Sequence, residues 1–275
     1  MITQNQRRWR RFVGNRSALA GLIVVALFVL AAILAGRVAP YAPNQPFEQF
    51  LKPSSRHWLG TDINQHDVLS RVIHGTRLSL VAGSISIVLA VTVGVPLGAV
   101  AGYAGGRLDA MLMRTVDIAL AFPSILLALL VATALARGWA AVVISVGLIN
   151  VPVFARQIRA TTLVLREQEY VLASRALGAS TFHILTRKIL PGLVAPVVVL
   201  ATLGLGSAIL EVAGLSFLGV GGDPTDPEWG AMLAQAKDTL GKSIWPALGP
   251  GGAISLTILG FNLLGDGLRD ALEPR

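Results

Sequence analysis

Long runs of uncharged, mostly apolar residues alternate with short polar segments along the whole chain, and this alternation predicts membrane-spanning helices. Charge-free runs cover residues 17–36, 78–106, 118–136, 138–155, 189–210 and 243–265. A hydrocarbon layer about 30 Å thick is crossed by about 20 helical residues, so each run supplies one crossing and the sequence predicts six. The run 78–106 is longer than one crossing needs, and part of it is expected to be turn or interface. The first run follows Arg7, Arg8, Arg10 and Arg11, as a signal peptide's apolar region would. It exceeds the roughly 7–15 apolar residues of such a region, and five more runs follow, so it reads as a retained anchor.

Composition agrees with the pattern and narrows it. Of 275 residues 53% are hydrophobic and only 14% charged, with a mean hydropathy of +0.66; soluble domains carry about 25% charged residues. The net charge of +8 raises nucleic acid as a partner. The basic residues fall in short clusters between apolar runs, however, which is the pattern of topology signals and leaves no basic face. No cysteine is present, which excludes disulfides, cysteine–zinc sites and thiol chemistry. With the N-terminus inside the cell, fifteen Lys and Arg residues face the cytoplasm and eight face outward, so both termini are expected to be cytoplasmic. Trp58, Trp139, Trp229 and Trp245 then lie near the outer face and Trp9 near the inner one. The implied layout is a cytoplasmic segment 1–16, a first crossing 17–36, an external loop 37–77, and a core 78–275. That core carries five more crossings and a cytoplasmic segment 156–191.

Several positions interrupt the apolar runs informatively. Gly94, Gly98, Gly102 and Gly106 recur every fourth residue, a ridge along which a neighbouring helix can approach closely. Pro96 and Pro123 remove backbone hydrogen bonds and predict kinks, either as shape or as hinges. Asp117 and Glu211 sit near the ends of their runs. They read as charges that reach the interface or pair (Asp117 with Arg114, for example), with a place on a translocation path as the second reading. Two external segments, 37–77 and 216–242, are long enough to fold. They hold turn residues such as Pro40, Pro43, Pro46, Pro224 and Pro227, and serve either as connections or as a docking rim.

Two apparent chemical motifs fail on context. Residues 236–243 imitate a phosphate-binding loop with Ala236 in place of the first glycine, but no β-rich run precedes them and Pro246 follows closely; such a loop needs a strand before it and a helix after it. His57, His66 and His74 are spaced nine and eight apart, which fits no helical pair of metal ligands. His183 reads as a solvated helix residue. Neither a catalytic centre nor a metal site is expected.

The segment 156–191 is the richest. Residues 166–176 read as a helix whose early turns carry Glu167 and Glu169, which suits the helix dipole, with Val171, Leu172 and Leu177 as a short apolar stripe. Gly178 can stop this helix in a left-handed turn, and Ser180 or Thr181 can cap a second helix running to Leu190, after which Pro191 opens the next crossing. Two short helices meeting at a glycine make a compact elbow that suits a partner's groove. An amphipathic connector lying on the membrane is the alternative.

Ala173, Gly178, Leu190 and Pro191 resemble the coupling loop of binding-protein-dependent ABC importer permeases, whose pattern is Glu-Ala-Ala, three residues, Gly, and a distal Leu-Pro. Leu172 stands where glutamate is usual and Ser174 where the second alanine is common, and the effect of Leu172 stays open. The resemblance extends over nearly the whole chain and narrows to dipeptide, oligopeptide and nickel importers. Leu59-Gly60-Thr61-Asp62, Asp67-Val68-Leu69-Ser70-Arg71 and Gly75-Thr76-Arg77-Leu78-Ser79-Leu80 are similar to that subfamily, although Gln65-His66 departs from its Gly-Arg. Gly102-Tyr103-Ala104-Gly105-Gly106, Asp109, Arg114, Asp117, Ala121-Phe122-Pro123, Leu215-Ser216-Phe217-Leu218-Gly219 and Pro227-Glu228-Trp229-Gly230 are similar as well.

The resemblance implies an all-α fold of six transmembrane helices, the type I ABC importer permease fold, in the inner membrane. It implies a second, similar permease, two cytoplasmic ATPases that bind the ATP and magnesium, and an extracytoplasmic solute-binding protein. Glu169, Leu172, Ala173, Ser174, Arg175, Gly178, Ala179, Leu190 and Pro191 would then form the ATPase-coupling surface. The chain itself would carry no cofactor. Peptides are the first expected substrate and nickel chelates the second. A stand-alone secondary transporter or channel would need ionisable groups or broken helices inside the membrane, of which the sequence offers little; a non-transporting scaffold is a third reading.

Overall fold

The computed structural model describes residues 12–223 and 225–272; Arg7, Arg8, Trp9, Arg10, Arg11 and Pro224, invoked above, lie outside them. The order is α1 (Arg16–Val38), α2 (Val68–Ala104), α3 (Gly106–Ala121), α4 (Ser124–Ala134), α5 (Trp139–Arg166), α6 (Glu169–Ala176), α7 (Thr181–Phe217), α8 (Trp229–Lys237) and α9 (Trp245–Leu272). Helices α1, α2, α5, α7 and α9 are each long and apolar enough to cross a membrane, and α3 with α4 makes a sixth crossing if the bent pair is one span.

Local chemistry sets the ends. The Asn15 side chain accepts from the backbone N–H groups of Ser17 and Ala18 at 3.1 and 3.3 Å to start α1, and its Nδ2 donates to Asp270 of α9 at 3.1 Å. Asp67 starts α2, accepting from the Ser70 backbone at 2.8 Å and its hydroxyl at 2.7 Å. A side-chain acceptor at this position satisfies amide donors that a helix cannot pair internally.

The bundle is assembled around the α2–α5 seam. A methyl group added at Gly94 would lie 2.8 Å from the Val151 carbonyl oxygen, and one at Gly102 2.8 Å from that of Arg159; at Gly98 it would collide with the carbonyl of Ala155. Backbones this close leave no room for side chains, the packing that small residues permit between helices in lipid. Phe154, Val146 and Ile158 are buried along the seam, joined by Val212 and Leu215 of α7. A second cluster gathers α1, α2, α7, α8 and α9 around Trp229.

Several boundaries differ from the sequence reading. Helix α2 begins at Val68, inside the segment assigned to a connecting loop, because its charged first turns are housed in a folded cap and do not meet lipid. It then runs without interruption past Pro96 to Ala104, so the turn expected within 78–106 comes only at Gly105. Gly106 therefore does not continue the glycine ridge. It opens α3 with φ +56°, and a methyl group there would touch nothing within 4 Å. The run 118–136 is not a straight crossing, since α3 and α4 meet at 96° across Phe122 and Pro123. Helices α5, α7 and α9 continue beyond the charge-free runs that announced them, carrying Arg156, Arg159, Glu211 and Arg269 within helix.

Pro191 does not open a new element either. Helix α7 starts ten residues earlier and widens into a π turn over Leu185–Ile189, where the Leu190 N–H bonds the Leu185 carbonyl. The widening has a local cause: a proline ring at 191 would press on the carbonyl four residues back in a regular helix and offers it no N–H.

Candidate functional site

The elbow is formed by residues 167–189. Helix α5 ends where Glu167 leaves the helix. The last α5 residue, Arg166, donates from Nη1 to the Gly102 carbonyl at 3.0 Å and from Nε to Glu167 at 2.9 Å, which ties the end of α5 to the end of α2. Helix α6 is anchored by one fully buried side chain, Val171. Its Arg175 guanidinium lies 5.5 Å from the centre of the Tyr103 ring, within cation–π range.

The turn after α6 is closed by Leu177 N–H to Ala173 O, Gly178 N–H to Arg175 O and Ala179 N–H to Ser174 O, at 3.0–3.1 Å. Gly178 has φ +78°, a conformation natural to glycine and strained for other residues. Ser180 caps the following turn by accepting from the His183 backbone at 3.3 Å. Ser174 instead bonds back to the Tyr170 carbonyl at 2.7 Å. Behind the turn, Ile184 and Ile189 are buried, and Ala179 packs on the same core. In front of it Leu177 is 88% exposed and Phe182 76%. Glu169, Leu172, Ala173, Leu190 and Pro191 are exposed too. The expected apolar stripe is thus divided, with Val171 facing inward and Leu172 and Leu177 facing out.

Two ion pairs tie the bent segment to α5 near the elbow. Arg159 grips Asp109 with Nε and Nη2 at 2.5 and 2.6 Å. Arg156 pairs with Asp117. The Asp117 partner is therefore Arg156 and not Arg114, because α3 packs against α5 and brings the two side chains together. Glu211, the first residue after the charge-free run 189–210, lies within α7, where Asn150 Nδ2 donates to its Oε2 at 2.7 Å. In the sequence Arg156 and Arg159 carry only a topology signal, and the one visible sign of the Glu211 contact is Asn150, an amide inside an apolar run.

The opposite end, hereafter the loop end, is a folded cap. Arg71 is fully buried; its Nη1 reaches Asp62 at 2.9 Å and its Nη2 the carbonyls of Thr225 and Asp226 at 3.0 and 3.2 Å. His57 Nδ1 lies 2.8 Å from Asp67. Trp229 is also fully buried, donating from Nε1 to the Val72 carbonyl at 3.0 Å. Glu228 caps α8 through the Gly230 and Ala231 N–H groups at 3.0 Å, and burial pushes its carboxyl above the usual carboxylate range. Of residues 236–243, Ala236 and Lys237 end α8 and the rest join it to α9 through turns, not as a strand-to-helix phosphate loop.

Comparison with known proteins matches residues 94–275 to the family model described as binding-protein-dependent transport system inner membrane component. The chain belongs to that family. A second model, the N-terminal TM domain of oligopeptide transport permease C, matches residues 3–54 of the permease. The permease is 42% identical to the dipeptide transport system permease protein of Alkalihalophilus pseudofirmus over 95% of its own length and 86% of that relative's. It is 43% identical to the di/tripeptide transport system permease protein of Pseudomonas aeruginosa, covering 97% and 91%. The glutathione transport system permease protein of Pectobacterium atrosepticum is also 43% identical, covering 97% and 90%. A chain of the MetNI methionine ABC transporter, in inward-facing conformations, superposes with a TM-score of 0.61 at 19% identity, covering 74% of the permease and 97% of that chain. The fold is thus that of a type I ABC importer permease, and the chain is a multi-pass membrane transport subunit and not an enzyme.

Proposed function

We propose that the permease forms half of a membrane path for peptides, the other half being a second, similar permease, and that its elbow receives force from a cytoplasmic ATPase. Peptides are favoured over nickel chelates because the similar relatives above are named for peptide or glutathione transport. In this reading both termini and the elbow face the cytoplasm. Two ATPase subunits hold ATP and magnesium, and the loop end receives an extracytoplasmic solute-binding protein.

The observation that carries the reading is the bare apolar tip at Leu177 and Phe182, held by a glycine turn and flanked by Arg175, Arg187 and Lys188. An exposed apolar tip on a rigid support suits a groove. Its rear is wedged into the core by Val171, Ile184 and Ile189, so displacement of the tip is passed to α5 and α7 together. Coupling requires the ATPase to hold the tip differently in its two states, since equal contact in both would shift no equilibrium.

The test is Gly178→Pro in the assembled transporter. Proline cannot adopt φ +78° and would delete the Gly178 N–H bond to Arg175. ATP hydrolysis is expected to persist while peptide uptake is lost. Uptake at the wild-type rate would overturn the assignment of the elbow. Sidedness is checked separately: the chain has no cysteine, so Ser180→Cys offers one thiol, expected to resist an impermeant reagent in intact cells.

A further inference from the structure

Neither the elbow nor the loop end accounts for Glu211. It lies six residues inside the Phe217 end of α7, about 9 Å along the helix. Asn150 divides its Nδ2 group between Glu211 Oε2 at 2.7 Å and the Val146 carbonyl at 2.9 Å. Among the described residues no Arg, Lys or His forms an ion pair with Glu211. A carboxylate inside a spanning helix turns toward protein or water, not lipid, and seeks a cation. A neutral amide fixes its orientation and supplies no positive charge.

The break between α3 and α4 is an independent observation beside it. Phe122 and Pro123 leave the helical conformation, and irregular backbone within a membrane is tolerated where it is covered by protein or lines a wet path. Residues 121–126 are all exposed. Ile125, in the first turn after the break, reaches α7 at Gly214: a methyl group there would lie 3.5 Å from the Ile125 Cδ1. Ser207, Glu211 and Gly214 share one side of α7 by their three- and four-residue spacing. The unpaired carboxylate and the broken helix therefore border the same open surface.

We infer that Glu211, oriented by Asn150, is an anionic station on the translocation path that receives the α-ammonium group of the peptide. The inference rests on the peptide-import reading above and adds to it a named contact. The path supplies the cation that the fold withholds. A free peptide always carries that group, whatever its side chains.

The absence of native cysteine permits a direct test. Ser207→Cys, one turn from Glu211, is placed in the assembled complex in membrane vesicles and treated with two methanethiosulfonates, one bearing trimethylammonium and one sulfonate. The cationic reagent is expected to react about tenfold faster, and the preference to vanish in Ser207→Cys/Glu211→Gln. Glu211→Gln alone is expected to raise the peptide concentration giving half-maximal uptake about tenfold, the effect of one charge-assisted hydrogen bond, with a smaller change in maximal rate.

Equal rates for the two reagents with Glu211 present, or an unchanged half-saturation in Glu211→Gln while wild type takes up peptide, would overturn the station and leave peptide import standing. Loss of the sister permease from the Glu211→Gln complex would also overturn it, assigning the carboxylate to the seam between permeases. A wild-type complex that takes up no peptide would instead overturn the import reading and the station with it.

Discussion

At the loop end a fully buried arginine binds one carboxylate and two carbonyls through its two terminal nitrogens, and a fully buried tryptophan is pinned between helices. At the elbow the large side chains around the turn stand in the open, and one buried valine anchors α6. The contrast is also written in the glycines. Gly75 and Gly230 press against the backbones of Pro227 and Ala213, while a methyl group at Gly178 would meet nothing within 4 Å, so a glycine is needed there only for φ. Close packing and buried polar bonds give a single shape. A short helix on one anchor, with apolar groups facing out, gives the surface proposed above to be completed by another molecule.

Substitutions should divide along the same line. Arg71→Met strands Asp62 in a buried site and should lower stability by about 3–5 kcal/mol, read as a fall in the thermal midpoint of purified protein. Asp62→Leu on that background should recover part of the loss. Gly75→Ala drives a methyl into the Pro227 carbonyl and should cost about 1–3 kcal/mol. Gly178→Ala meets no atom and should cost only the strain of a left-handed residue, about 1 kcal/mol; equal losses at the two glycines would erase the contrast. Leu177→Asp should leave stability within about 0.5 kcal/mol of wild type and yet reduce co-purification of ATPase subunits. A normal complex from that variant would return the elbow to a plain connector.

The smallest effect concerns pH. Burial lowers the proton affinity of His66 below its ordinary value of 6.5; nearby Asp62 opposes this and Arg71 adds to it. The unfolded chain then takes up the proton first. Stability is complete above 6.5 and declines as pH falls from there toward the lower folded value. Protease nicking of residues 39–67 should increase between pH 8 and pH 5.5, and His66→Gln should flatten that rise.

The apolar runs announced the crossings because lipid imposes length and composition together. What they could not show was where a helix leaves lipid and continues. The start of α2 at Val68 was hidden by Arg71, His74 and Arg77, which read as loop until the cap around Asp62 and Asp67 is seen. Gly106 continued a four-residue spacing but not the helix, because Gly105 before it has φ +65° and periodicity carries no record of that. Pairings across the fold, Arg156 with Asp117 and Asn150 with Glu211, depend on how helices are rotated, which a single sequence leaves open. The stop at Gly178 and the cap at Ser180 were legible because both are local.

The extra residue accommodated at 185–189 acts as an angular offset. Everything before it is rotated by about 100°, one α-helical step, from where a regular winding through Phe217 would put it. Removing one residue from that stretch would keep every side chain's chemistry yet aim Phe182 and Leu177 at a different compass point, so the length of this segment is under as tight a constraint as its composition.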